Sequence, residues 1–377
     1  MTERAIARSL RLFYVFRLLA TSYLYIPIFM LFQASRGLSF FERLALGGIF
    51  SAVVILVEVP TGVFADRIGR RRSMLLGALA MVASCLLAAR ASTFGEFAVA
   101  ESLAALSIAL CSGADSAYLF DFLLANNRIA DYGRHESTAS AYHLMGSAVA
   151  FAAGGLLAQI DLALPYLATA AVPAGIVLRS WTRQVSSAIA KVARNGRLLW
   201  IVGYSAVAFV LLRATVYLYQ PYLEERGLTP DAIGLLFAGV YVIASLVAAR
   251  TYQLRRRFGD DVLLWGMLAL LAISFVGLAG AERGPWMLGL LVVQAVANGL
   301  YSPLTKPLLN AEITDSRQRA AVLSVDSMAR RAGMAVFAPL VGLYGQGDVM
   351  LLCGVVGLAG LVALALARGA TSSRLTG

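Results

Sequence analysis

Apolar runs of about 18 to 25 residues recur along the whole chain, each the length a helix needs to cross a hydrocarbon core of about 30 Å. They predict twelve spans, at 10–34, 42–62, 73–92, 97–123, 138–160, 163–181, 198–222, 232–250, 262–281, 286–310, 320–344 and 349–367. Short loops rich in Arg or in Gly and Pro divide them. No segment shows the strict in/out alternation over about ten residues that a membrane β-barrel requires. The first run, Leu12 to Phe32, is longer than the core of a signal peptide and has no small-residue cleavage site, so it is expected to stay as a membrane helix.

Composition agrees with this pattern. Hydrophobic residues make up 59% of the 377 and charged residues 14%, with mean hydropathy +0.75, against about 25% charged in a soluble domain. The formal charge of +11 raises nucleic acid as a partner. The basic residues are instead spread over the loops of one face, the N-terminal side, with no dedicated basic domain, which excludes that reading. By the positive-inside rule the same asymmetry puts both termini in the cytoplasm, as in a multi-pass protein of a plasma membrane such as the bacterial inner membrane. Cys85, Cys111 and Cys353 are dispersed in apolar spans and read as packing residues, with neither a disulfide nor a metal site expected.

The chain also repeats itself weakly at an offset near 190 residues. Tyr23-Leu24-Tyr25-Ile26-Pro27 recurs as Tyr217-Leu218-Tyr219-Gln220-Pro221, and each copy is followed by Arg-Gly-Leu-Ser/Thr, from Arg36 and from Arg226. Arg67-Ile68-Gly69 likewise recurs as Arg257-Phe258-Gly259. The repeat predicts two six-helix bundles, 1–181 and 198–377, joined by a polar, basic linker at 182–197.

The segment after the second span reads Gly62-Val63-Phe64-Ala65-Asp66-Arg67-Ile68-Gly69-Arg70-Arg71-Arg72. It resembles the signature G-x-x-x-D-R-x-G-R-[KR] of the major facilitator superfamily of transporters. The resemblance implies an all-α membrane fold of twelve helices in two pseudo-symmetric halves. It also implies a cytoplasmic latch in which Gly62 and Gly69 allow close turns while Asp66, Arg67 and Arg70 pair with the opposite half and with Asp121 at the inner end of span 4. The second-half copy has Arg256 where the acid would stand, with Asp260 and Asp261 after the glycine. On span 5, Gly146, Ala150, Phe151, Gly154 and Gly155 follow the register of an exporter motif, G-x-x-x-G-P-x-x-G-G, without its central Gly-Pro. The usual arginine of span 4 is missing, and Glu101 lies near its place.

A charge in mid-span costs about 2.5–3.5 kcal/mol on insertion scales, so each needs a cavity, a partner or a task. Arg17 is placed in span 1, Glu101 and Asp115 in span 4, Arg213 in span 7 and Lys306 in span 10. In the family these four spans line the central cavity. Helical spacing puts Glu101 and Asp115 on one face, Arg213, Tyr217 and Gln220 on another, and Asn298, Ser302 and Lys306 on a third. Asp115 and Glu101 are the expected proton-coupling carboxylates. Arg17, Tyr25, Arg213, Tyr217, Gln220, Asn298 and Lys306 are the expected contacts of a small-molecule substrate, with buried structural ion pairs such as Arg17 with Asp115 as the alternative. Glu58 reads as structural or gate-related, His135 as inert and His143 as a minor proton site.

No HExxH, GxSxG, Walker loop or His-rich cluster is present, so the reading is not an enzyme, and no cofactor is expected. The expected function is proton-coupled efflux of a small amphipathic metabolite or drug by a monomer cycling in the bilayer. An importer or facilitator of a polar or anionic solute is the second reading, and a receptor or lipid scramblase the third.

Overall fold

A computed structural model describes residues 3–19, 23–68, 70–111, 114–171, 196–281, 284–312, 316–344 and 349–373. Several side chains within these stretches, including those of residues 62–68, 70–72, 111, 114–118 and 121, lie outside the description. The roles expected of Gly62, Asp66, Arg67, Gly69, Arg70, Asp115 and Asp121, and most of the linker, therefore fall outside the described residues.

The described residues are mostly helical: α1 (Glu3–Leu19), α2 (Phe29–Ser35), α3 (Phe40–Ile68), α4 (Arg70–Arg90), α5 (Phe94–Cys111), α6 (Ala114–Ala125), α7 (Tyr132–Ile160), α8 (Leu164–Ala171), α9 (Gly196–Glu224), α10 (Pro230–Phe258), α11 (Asp260–Ala279), α12 (Pro285–Ala311), α13 (Ser316–Tyr344) and α14 (Val349–Ser373). Among the described residues seven spans are individually long and apolar enough to cross a bilayer. The other five fall short for visible reasons: span 1 is divided, span 3 is apolar only over Leu76–Arg90, span 4 is described as two helices, α5 and α6, α8 is described for only eight residues, and α13 carries Asp326, Arg330 and Arg331. Hydrophobic side chains such as Leu56, Ile160, Leu343 and Leu366 remain exposed around the bundle, as a lipid-facing surface requires.

The structure corrects two expected boundaries. The second span does not stop at 62; α3 runs on to Ile68 and α4 starts at Arg70, so most of the signature segment is the last two turns of a helix. Span 1 is not continuous, because Tyr23 to Ile28 form turns between α1 and α2. Pro27 lacks an amide hydrogen and disfavours helix at the residue before it. The unwound backbone is satisfied from outside: Leu24 N donates to Thr169 Oγ1 at 3.0 Å, and Gln220 Nε2 donates to Ile26 O at 2.8 Å.

The internal repeat has a structural counterpart. Span 1 ends at Gly37 with φ +86°, its amide bonded to Ala34 O and that of Leu38 to Gln33 O. α9 ends at Gly227 with φ +75°, and the same two bonds run from Gly227 to Glu224 O and from Leu228 to Leu223 O. A left-handed glycine closes both helices because a side chain there would be strained. Between the proline and this glycine the first copy has about one helical turn more than the second. The extra turn accommodates the unwound segment, whereas Pro221 sits inside a continuous helix.

The near face of the bundle is the one where α1 begins, and the far face is the one opposite. The two halves meet along two seams, α7 against α10 and α3 against α13. At the far face the seams are tight. A Cβ on Gly155 would lie 2.7 Å from Gly234 Cα, and one on Gly48 would lie 2.8 Å from the Pro339 ring. At the near face a surface cleft of about 590 Å3 is bordered by Phe120, Tyr132 and Gly133 from the first half and Tyr252, Arg255 and Asn310 from the second, and a hydrogen bond from Asn310 to Tyr132 bridges it.

Candidate functional site

The unwound segment of span 1 positions the site. Because Gly146 and Gly154 have no side chains, α7 presses directly on the carbonyls of Leu18 and Leu24, where a Cβ would clash outright. Tyr25 stacks on Tyr166, with the rings 4.6 Å apart at 8°. Glu101 of α5 lies within electrostatic reach of Tyr25, Tyr166 and Cys85 from its own half and of Arg213 from the other. Arg213 lies beside Tyr217, with its guanidinium carbon 5.5 Å from that ring's centroid, and Tyr241 lies beside Asn298. Glu101, Tyr25, Arg213, Tyr241 and Asn298 lie deep in the bundle yet are only partly covered, so they border an internal space between the halves. Five of the expected residues, Glu101, Tyr25, Arg213, Tyr217 and Asn298, are thus brought together.

Arg17 and Lys306 belong to a second group nearer the near face. Lys306 Nζ lies 3.0 Å from Glu136 Oε1, joining the halves, with side-chain exposures of 23% and 1%. Arg17 and His143 share the field of this pair. The same helix face continues the seam in both directions. Asn310 Nδ2 donates to the Tyr132 hydroxyl at 3.1 Å, Ser140 and Ser302 are 3.4 Å apart, and Ser245 Oγ donates to Ala141 O at 2.8 Å. The structure does not describe the Asp115 side chain, so the alternative pairing of Arg17 with it stays open, but Glu136 supplies Arg17 with an acid that the sequence pattern does not single out.

Gln220 is held differently from the other residues of its stripe. It is fully buried, its Oε1 accepts from Met30 N at 2.7 Å, and its Nε2 donates to Ile26 O at 2.8 Å and Val216 O at 3.1 Å. In this conformation it staples α9 to the broken span 1 and is closed to a solute.

Three charges on α13 are missed in the sequence because they resemble the basic inner end of span 11. Asp326 Oδ2 holds Arg330 Nη2 at 2.9 Å, and Arg330 is near Tyr301 and lies over Phe209 at 5.4 Å. Arg331 lies over Phe50 of α3 at 5.6 Å, across the seam. The i, i+4 spacing of Asp326 and Arg330 inside the predicted span is the available signal. The second half's replacement for the signature is also visible. Arg255 grips Asp260 in a two-pronged pair, 2.6 and 2.9 Å, around Gly259, and donates to Pro303 O at 3.3 Å.

Two six-helix halves around an internal polar site define the major facilitator fold, and comparison with solved structures agrees. The chain superposes on the nucleoside transporter NupG with TM-score 0.72 at 13% identity, covering 96% of this chain and 99% of that one. A point mutant of NupG gives 0.73 at 12% identity over 95% and 99%. The human organic anion transporter MFSD10 (TETRAN) gives 0.68 at 17% identity over 97% and 100%. At these identities the likeness is one of fold. No protein-family model matches the sequence, and no curated protein matches it.

Proposed function

We propose that the chain is a secondary transporter that expels a small amphipathic solute in exchange for protons, by alternating access of the space between its halves. The observation that carries this reading is the placement of Glu101 and Arg213 on opposite halves of one internal space, with Tyr25, Tyr217 and Tyr241 around them. A carboxylate that faces water in one conformation and protein in the other can load and release a proton once per cycle. Glu101 takes that role, with Asp115 as its partner on the same span. The glycine contact of α7 with α10 closes the far face in this conformation, one of the two that alternating access requires. The basic loops support a cytoplasmic near face, where Asp66, Arg70 and Asp121 would form the latch of the opposite conformation. We take the unit to be a monomer, each chain holding a complete site.

The test uses the purified protein in vesicles carrying an imposed pH gradient, with a panel that includes nucleosides, organic anions and amphipathic drugs. Gradient-driven accumulation that is lost in Glu101→Gln while solute exchange at equal pH survives supports the reading. Accumulation that persists in Glu101→Gln removes that residue from coupling, and gradient-independent equilibration of every solute moved would replace coupled transport with facilitation.

A further inference from the structure

Among the described residues, the buried cations differ in how closely an acid approaches them. Lys306 is paired with Glu136, and Arg330 with Asp326. Among the described residues neither Arg213 nor Arg331 makes an ion pair. Arg213 has only the Tyr217 hydroxyl and ring, with Glu101 at longer range. Arg331 makes no hydrogen bond among the described residues; its Nε is buried without a partner, and its guanidinium lies over the Phe50 ring. The groups facing it are Glu58 from α3, Arg213 and Tyr217 from α9, and Arg330 from its own helix. Glu58 is the largest charge acting on Arg331, Arg330 and Arg213 act on it with like sign, and Tyr217 lies within electrostatic reach of both Arg213 and Arg331, in a setting where a cation without an acid in contact is costly and like charges repel.

We propose that the transported solute is an aromatic or amphipathic monoanion whose carboxylate docks between Arg213 and Arg331, its apolar body lying against Phe50 and Tyr217 once the seam that buries them in this conformation opens. This rests on the transporter reading and names the substrate class for the same space. An anion placed there relieves the repulsion, gives the orphaned guanidinium its missing acceptors and accepts from the Tyr217 hydroxyl. Guanidinium forks suit a planar carboxylate better than any neutral or cationic group. The aromatic walls favour a flat apolar body.

The probes are benzoate and 2-naphthoate, compared with the matching amides and methylamines by equilibrium dialysis against the purified full chain in detergent. The carboxylates should bind at least tenfold more tightly than their neutral and cationic counterparts. Arg331→Gln should cut carboxylate affinity at least tenfold without changing that of the amides, and Arg331→Lys, which keeps the charge but loses the fork, should fall between. If Arg331→Gln does not fold, isotope-edited infrared spectra of carbon-13 benzoate on the wild-type protein decide, since the carboxylate stretch must shift on binding and revert in Arg331→Lys. The inference is overturned if the carboxylates fail to bind, if amides or amines bind as well, or if Arg331→Gln leaves carboxylate affinity unchanged. Gradient-driven transport of a neutral or cationic solute without carboxylate binding would sink this inference alone. Carboxylate binding at these arginines without movement of any solute would instead sink the transporter reading.

Discussion

An alanine at Gly155 should open the far face. The added Cβ would stand 2.7 Å from Gly234 Cα, 3.2 Å from Gly234 N and 3.1 Å from Pro230 O, all backbone atoms that no rotamer change can move. Restoring ordinary carbon contact of about 3.5–4.0 Å requires α7 and α10 to separate by on the order of 1 Å. Overpacking of this kind costs about 1–3 kcal/mol. If the halves rock, the contact exists only while the far face is closed, so the cost falls on one state and shifts the conformational equilibrium by roughly 5- to 150-fold. The reporter is Phe29→Cys on a background with Cys85, Cys111 and Cys353 replaced by serine. Phe29 is 5% exposed and packs edge-on against Tyr217 of the other half, 5.1 Å between centroids. An impermeant maleimide applied at the far face should label it faster in Gly155→Ala by a factor in that range. Gly277→Ala is the control, since its Cβ would meet only the movable Leu290 side chain, at 3.0 Å and within one half. A lowered melting temperature with unchanged labelling would refute the reasoning, because the strain would then be borne by the fold in both states.

Three more outcomes rest on the same geometry. Gln220→Leu strands Met30 N and Ile26 O in the interior, at about 1–3 kcal/mol for each buried group left unsatisfied; it should raise Phe29→Cys labelling as Gly155→Ala does, and a selective loss of solute affinity with labelling unchanged would return Gln220 to the binding site. Lys306→Met leaves the buried Glu136 carboxylate without its partner, a loss of roughly 3–5 kcal/mol in denaturant unfolding, lessened as far as Arg17 takes over; Glu136→Gln in the same chain should recover most of it, and equal stability of single and double variants would show that the pair is not coupled. Impermeant labelling of intact cells should reach a cysteine replacing Glu224 and spare one replacing Arg256, and the reverse pattern would invert the proposed topology.

The fold is largely legible in the sequence because span length and loop charge are set by the bilayer itself. The repeated Arg-Gly-Leu motif is informative for a local reason, since both copies need a left-handed glycine to close a helix. The break in span 1 is harder to read. Pro27 allows it, but what stabilises it is Thr169 and Gln220, both remote in sequence and one in the other half. Gln220 shows the limit of stripe arguments. A helix in this fold faces the opposite half over a wide arc, and spacing from Arg213 cannot separate a residue bordering the cavity from one buried in the seam. Glu136 and the α13 charges escape for the opposite reason. Near a span's basic end, proximity to a loop makes charge look ordinary, and only packing reveals that Glu136 and Asp326 are 1% and 3% exposed.

The central claim is that the two faces open in turn, and paired distance measurements with spin labels test it most directly without knowledge of the solute. One pair replaces Arg36 and Glu225 at the far face, and another replaces Arg134 and Arg256 at the near face, all four exposed positions with one in each half. On changing pH across the range in which Glu101 loads and releases its proton, or on adding a transported solute, the far-face distance should lengthen as the near-face distance shortens, with matched populations. Both distances fixed under every condition, or both lengthening together, would contradict the account.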